Sequence, residues 1–314
     1  MSYNTCSHLK NLSFSDLIIG DHNVYIKGVP GCPEIVEIDE FYKDEAFDIL
    51  KELKKQNENE FLYMRDGVHY RTAKMETING TWFTLRKGMQ NLPTLSQLGV
   101  SKTIIEACLD ESYTHGLLVF SGEMGSGKTT SASAYVKERL NLIGGHAVAL
   151  EDPPELPLQG VHGDGVCFQQ EVKNRDFASA IISALRWASP RIIFLGELRD
   201  EASVSEALRA AINGHVIVAT IHAAGIVETI DRIDALAKIK DGSSASGLLA
   251  TGLFGIIHQR LATGRDKGKK LKTKVLFAKH SASSVRAKIR DGKTHQLNTE
   301  IQAQQNEMFL KKDR

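Results

Sequence analysis

Apolar residues follow two regimes along the chain. Within residues 13–90, Val24-Tyr25-Ile26-Lys27 and Ile35-Val36-Glu37-Ile38 alternate as half-buried strands do, whereas residues 46–55 place apolar positions at helical spacing. Residues 67–73 and 81–86 alternate again around Asn79-Gly80, a hairpin signal. Pro93 and the polar Thr94-Leu95-Ser96-Gln97 then interrupt the pattern, and the boundary is placed there: a small α+β domain over 1–92 and a larger domain over 93–314.

The second regime consists of short runs with no polar face. After a helix predicted over 102–112 come Leu117-Leu118-Val119-Phe120, Ala147-Val148-Ala149-Leu150, Ile192-Ile193-Phe194-Leu195 and Val216-Ile217-Val218-Ala219, with a helix expected over 131–140 after the first. Such runs alternating with helices predict an α/β fold, a mainly parallel sheet covered on both faces. Ligands of open sheets gather at the carboxyl ends of the strands, and each of these runs ends in polar residues.

Composition changes this picture little. With 42% hydrophobic residues, 25% charged and a net charge of +1 over 314 residues, the chain reads as globular, and nothing global asks for nucleic acid. No stretch approaches the roughly 18 to 20 apolar residues that cross a bilayer, and the start of the chain lacks a signal pattern. A cytoplasmic protein is expected, docked at most peripherally on the inner membrane. Cys6, Cys32, Cys108 and Cys167 form no C-x-x-C pair, so neither a zinc element nor a disulfide framework is indicated. The basic stretch over 265–274 has no interleaved aromatics and is expected as an exposed hairpin tip.

The chemistry lies at the strand ends. Gly122-Glu123-Met124-Gly125-Ser126-Gly127-Lys128-Thr129-Thr130, between a strand and a helix, is a phosphate-binding loop: its glycines free backbone N–H groups for phosphate oxygens, and its lysine supplies a cation. The spacing assigns Lys128 to the β- and γ-phosphates of ATP and the Thr129 hydroxyl to Mg²⁺, with Thr130 the next candidate. Glu151-Asp152-Pro153-Pro154-Glu155 follows the next strand, an acid turn stiffened by two prolines. Gly196-Glu197-Leu198-Arg199-Asp200 stands where most phosphate-loop enzymes carry a Mg²⁺-linked aspartate, but with glycine in its place. Glu151, Asp152 and Glu155 are therefore the candidate suppliers of the missing metal carboxylate, and Glu197 of general-base polarisation of water. His222 ends the fourth strand as a catalytic candidate; His215 precedes that strand.

These four motifs in this order resemble the Walker A, Asp box, Walker B and His box of the type II/type IV secretion and pilus ATPases, over roughly residues 90–300. The segment from Val285 to Leu297 is similar to the C-terminal helical region of the PilT-like pilus retraction ATPases. The resemblance implies a RecA-like ATPase core, a PAS-like N-terminal domain, a homo-hexamer, and an inner-membrane platform protein as partner. It also implies that basic residues of the N-terminal domain reach the phosphates, for which Arg71 and Arg86 on the hairpin strands are the candidates alongside catalytic Glu197, Glu155 and His222. Retraction of a type IV pilus is the expected function. A type IVB or conjugation-related export ATPase is the alternative, and a nucleic-acid-stimulated motor a weaker one.

Overall fold

The computed structural model describes residues 8–263, 269–278 and 283–310. The chain divides into two compact units, Met1–Asn91 with Glu155–Pro157, and Leu92–Pro154 with Leu158–Arg314. Cys6 and residues 265–268 of the basic stretch lie outside the described residues, while 269–274 are strand residues paired antiparallel with 258–263.

The first unit runs β1 (Asp16–Ile19), β2 (Val24–Lys27), β3 (Ile35–Glu37), α1 (Lys43–Leu53), β4 (Glu60–Arg65), β5 (Val68–Thr77) and β6 (Gly80–Lys87). The strands form one antiparallel sheet in the order β3-β2-β1-β6-β5-β4. Ala46, Ile49, Leu50 and Leu53 of α1 recur on one helical face and bury into a core with Leu17, Ile19, Val24, Ile26, Phe83 and Leu85. The hairpin turns at Ile78-Asn79, one residue before the expected Asn79-Gly80. Thr77 pairs directly with Gly80, whose φ of +108° suits glycine, so this residue closes the hairpin from within the strand.

The second unit is α2 (Lys102–Leu109), β7 (Gly116–Gly122), α3 (Lys128–Ile143), β8 (Gly145–Glu151), β9 (Gly160–His162), β10 (Gly165–Glu171), α4 (Phe177–Ala188), β11 (Ile192–Leu195), α5 (Glu201–Ile212), β12 (Val216–His222), α6 (Ile226–Asp241), α7 (Ala245–Gly252), β13 (Leu253–Thr263), β14 (Lys269–Phe277), α8 (Ser284–Arg290) and α9 (Asn298–Leu310). Its sheet has the order β14-β13-β7-β12-β11-β8-β10-β9. From β13 through β10 every neighbour is parallel, and only the edges, β14 and β9, run antiparallel. The α/β class read from the sequence is the class observed. Period-two alternation explains why the runs lack a polar face: Leu117 and Val119 enter a core shared with α4, α5, α6 and α7, while Phe120, one residue on and facing the other side, meets Tyr135 of α3, ring centroids 6.1 Å apart. Among the described residues no helix is long and apolar enough to cross a membrane.

The helix expected over 102–112 stops at Leu109, where Asp110 leaves helical geometry (φ −50°, ψ 121°) and a side chain takes the carbonyls at and beyond the helix end. Arg139 of α3, 1% exposed, donates to the carbonyls of Leu109 (2.5 Å), Asp110 (2.9 Å) and Tyr113 (2.6 Å), which holds this segment out of helical geometry. Replacing Arg139 by methionine leaves these three carbonyls without that donor. Denaturant titration is expected to show a loss of about 3 kcal/mol; a loss under 1 kcal/mol removes Arg139 from this role.

Candidate functional site

Strand order gathers the motifs. Adjacent β7, β12, β11 and β8 end at Gly122, His222, Leu195 and Glu151, and His222 pairs in register with Gly122. Residues separated by up to a hundred positions thus share one end of the sheet, where the peptide chain leaves strand geometry and side chains are free to converge.

The phosphate loop leaves β7 at Gly122 and enters α3 at Lys128. Gly125 and Gly127 adopt φ of +71° and +83°, which glycine reaches without a Cβ clash. Gly122 is required by contact as well: an ideal Cβ there would lie 2.2 Å from the Gln259 carbonyl oxygen. Ser126 and Lys128 are buried, Thr129 and Thr130 half-buried, and Glu123 and Met124 exposed, so the loop presents its backbone and lysine over a closed floor. Lys128 Nζ donates to the Glu123 carbonyl (2.8 Å) and lies 3.3 Å from His222 Nδ1. Burial pushes its pKa down, against the pull of Glu197.

A line of charge continues from there. His222 Nε2 lies 3.7 Å from Glu197 Oε1, and Glu197 Oε2 accepts from Arg199 at 2.6 Å. Burial, and then the Lys128 charge, hold His222 below the usual histidine range, which favours a neutral ring able to accept from the lysine at Nδ1. The segment bearing Glu197 is pinned to β12: Thr220 Oγ1 donates to the Gly196 carbonyl (2.5 Å), and Leu198 N to the Thr220 carbonyl (2.9 Å). Gly196 stands against Glu151, with an ideal Cβ 3.4 Å from Glu151 Cα and Cγ. A longer side chain at 196 would contest the space that Glu151 fills.

The acid turn diverges. Glu151, 2% exposed, accepts from Gln169 Nε2 at 2.8 Å. Asp152 Oδ2 accepts from Arg175 Nε at 3.2 Å. Glu155 belongs with the first unit, where it accepts from Arg71 at 2.7 Å. Among the described residues no three acidic, histidine or cysteine side chains converge on one point as metal ligands. That geometry is compatible with Mg²⁺, which binds through one or two protein oxygens, phosphates and water, and Thr129 and Asp152 are oxygen donors of that kind. Arg71 and Arg86 pair directly across β5 and β6, and Arg86 Nε donates to the buried Asp16 at 2.8 Å. His215 sits at the opposite end of β12, its Nδ1 2.7 Å from the Pro190 carbonyl, away from the loop.

Two residues escaped sequence reasoning. Gln259 on β13 donates from Nε2 to the Ser126 carbonyl at 2.7 Å, and Arg232 on α6 donates to the His222 carbonyl at 3.0 Å. Gln259 carried no signal of this, since it stands between His258 and Arg260, just past the apolar run Leu253-Phe254-Gly255-Ile256-Ile257.

A parallel sheet with this loop, a histidine at the end of the neighbouring β12 and a carboxylate just past β11 defines a RecA-like P-loop ATPase. Residues 41–311 match the family described as Type II/IV secretion system protein, and the chain belongs to that family. The chain is 30% identical over 245 residues to the uncharacterized protein YggR of Escherichia coli K12, a match covering 74% of this chain and 72% of that protein. It is 28% identical over 267 residues to the type IV pilus retractation ATPase PilT of Pseudomonas aeruginosa, covering 82% and 74%. Among solved structures, the pilus retraction motor PilT with bound ADP superposes with a TM-score of 0.76 at 26% identity, over 93% of this chain and 86% of that one.

Proposed function

We propose that the protein is a Mg²⁺-dependent, homo-hexameric ATPase that powers retraction of a type IV pilus, acting with an inner-membrane platform protein at the cytoplasmic face. The observation that carries the pilus reading is the likeness to PilT along nearly the whole chain. Lys128 and the loop N–H groups bind the phosphates, and Glu197 accepts a proton from the attacking water. Thr129, with Asp152 and Glu151 at the end of β8, would hold Mg²⁺, which would neutralise phosphate charge when bound. His222 orients Lys128 and Glu197 on either side of its ring. Arg71 and Arg86 are assigned to charge developing on the phosphates.

Deleting the gene in its native host tests the reading. The expected result is a cell that still assembles surface pili and loses surface motility that depends on retraction, both restored by the parental gene and not by Lys128→Ala. Unchanged retraction together with loss of protein or DNA export would replace the pilus reading by the export reading.

A further inference from the structure

The Gln259 amide is buried beneath the phosphate loop, 1% exposed, with Gln259 Oε1 and Ser126 Oγ both lacking a hydrogen-bond partner. Two buried orphans beside one satisfied bond make the cluster a cost to folding, so its presence asks for a use. Its placement supplies one. The Gln259 carbonyl fills the space a Cβ on Gly122 would need, and its Nε2 lies 3.4 Å from where a Cβ on Gly127 would stand. Gln259 therefore runs under the loop from one flanking glycine to the other. The next residue back on β13, His258, pairs in register with Ser121 and meets its hydroxyl at 3.1 Å, which fixes β13 against the strand leading into the loop.

The peptide joining Ser126 and Gly127 is trans, so its carbonyl and its N–H point to opposite sides. Gln259 Nε2 holds that carbonyl inward at 2.7 Å. The Gly127 N–H is thereby turned outward, toward the mouth of the loop. We infer that Gln259 is a positioning residue: it sets the orientation of the Ser126–Gly127 peptide and so presents the Gly127 N–H to a phosphate oxygen before nucleotide arrives. This rests on the reading that the loop binds a nucleoside triphosphate. Without the tie the peptide is free to rotate, and binding must first restore its orientation.

Gln259→Met keeps the length of the side chain and removes the donor. Because a preset N–H serves ground state and transition state alike, KM for ATP is expected to rise about tenfold, with kcat within about twofold of the parent. Affinity for a fluorescent ADP analogue is expected to fall by the same factor, while the unfolding midpoint without nucleotide moves little. A merely structural role would lower the midpoint and leave KM unmoved. If Gln259→Met does not fold, Gln259→Leu is read instead: it too removes the donor without adding charge, and the same rise in KM is expected. An unchanged KM in a folded variant, or a fall in kcat alone, overturns the inference. A parental protein that binds no nucleotide at all overturns the underlying reading, and this inference with it.

Discussion

Lys128→Ala is expected to lower steady-state phosphate release about 10³-fold, with the unfolding midpoint of the nucleotide-free protein unchanged. Lys128 is 6% exposed, and its ammonium is met by a backbone carbonyl and an imidazole. Both are neutral partners, and burial already drives the group toward deprotonation. A desolvated cation in that state gains most from a phosphate that brings full negative charge, and charge-assisted hydrogen bonds are about twice as strong as neutral ones. Removing it costs the protein little, since the Glu123 carbonyl it caps belongs to an exposed residue. Lys128→Arg is not expected to rescue: the planar guanidinium is larger than the buried site and cannot act as a point charge. Its turnover should stay below about a tenth of the parental rate. A Lys128→Ala protein that keeps more than a tenth of the parental rate would show that the loop grips phosphate through its backbone alone.

How much of this was legible beforehand depended on the range over which each residue acts. The phosphate loop was readable because all its requirements are local: glycine φ values at 125 and 127, a strand before and a helix after. The four buried strands were readable because each is a run of apolar residues bounded by polar ones. Glu197 and His222 could be named from their positions at strand ends, yet their shared line with Lys128 depends on β12 and β11 being inserted between β7 and β8, and sequence order does not reveal that pairing. The acid turn shows the opposite failing. Three carboxylates within five residues suggested one target, but Glu151 turns to Gln169, Asp152 to Arg175 and Glu155 to Arg71, partners as much as 84 positions away. Strands β1 and β4 were missed for a simpler reason. Asp16 opens β1 and is buried through its bond to Arg86, 70 positions on, while β4 begins and ends in charged residues. Gln259 lay out of reach altogether, since only the close approach of β13 to Gly122 tells why an amide belongs there.

Glu197→Gln is expected to cut kcat by about 10² to 10⁴ while nucleotide affinity stays within about threefold. The substitution keeps size and the ability to accept from Arg199, and takes away only the capacity to receive a proton. Nucleotide should accordingly accumulate as bound ATP, which rapid filtration followed by separation of ATP from ADP would measure. Arg199→Ala supplies the contrast. The guanidinium is half-exposed at 53% and its bond to Glu197 is partly screened by solvent, so the pair contributes at most about 1 kcal/mol. If Glu197 acts directly on water, freeing it from Arg199 changes turnover only a few-fold. If instead the ion pair were the working unit, both variants would fall together, and the base would have to be sought elsewhere at the strand ends. A Glu197→Ala protein hydrolysing ATP at the parental rate would take Glu197 out of the mechanism altogether.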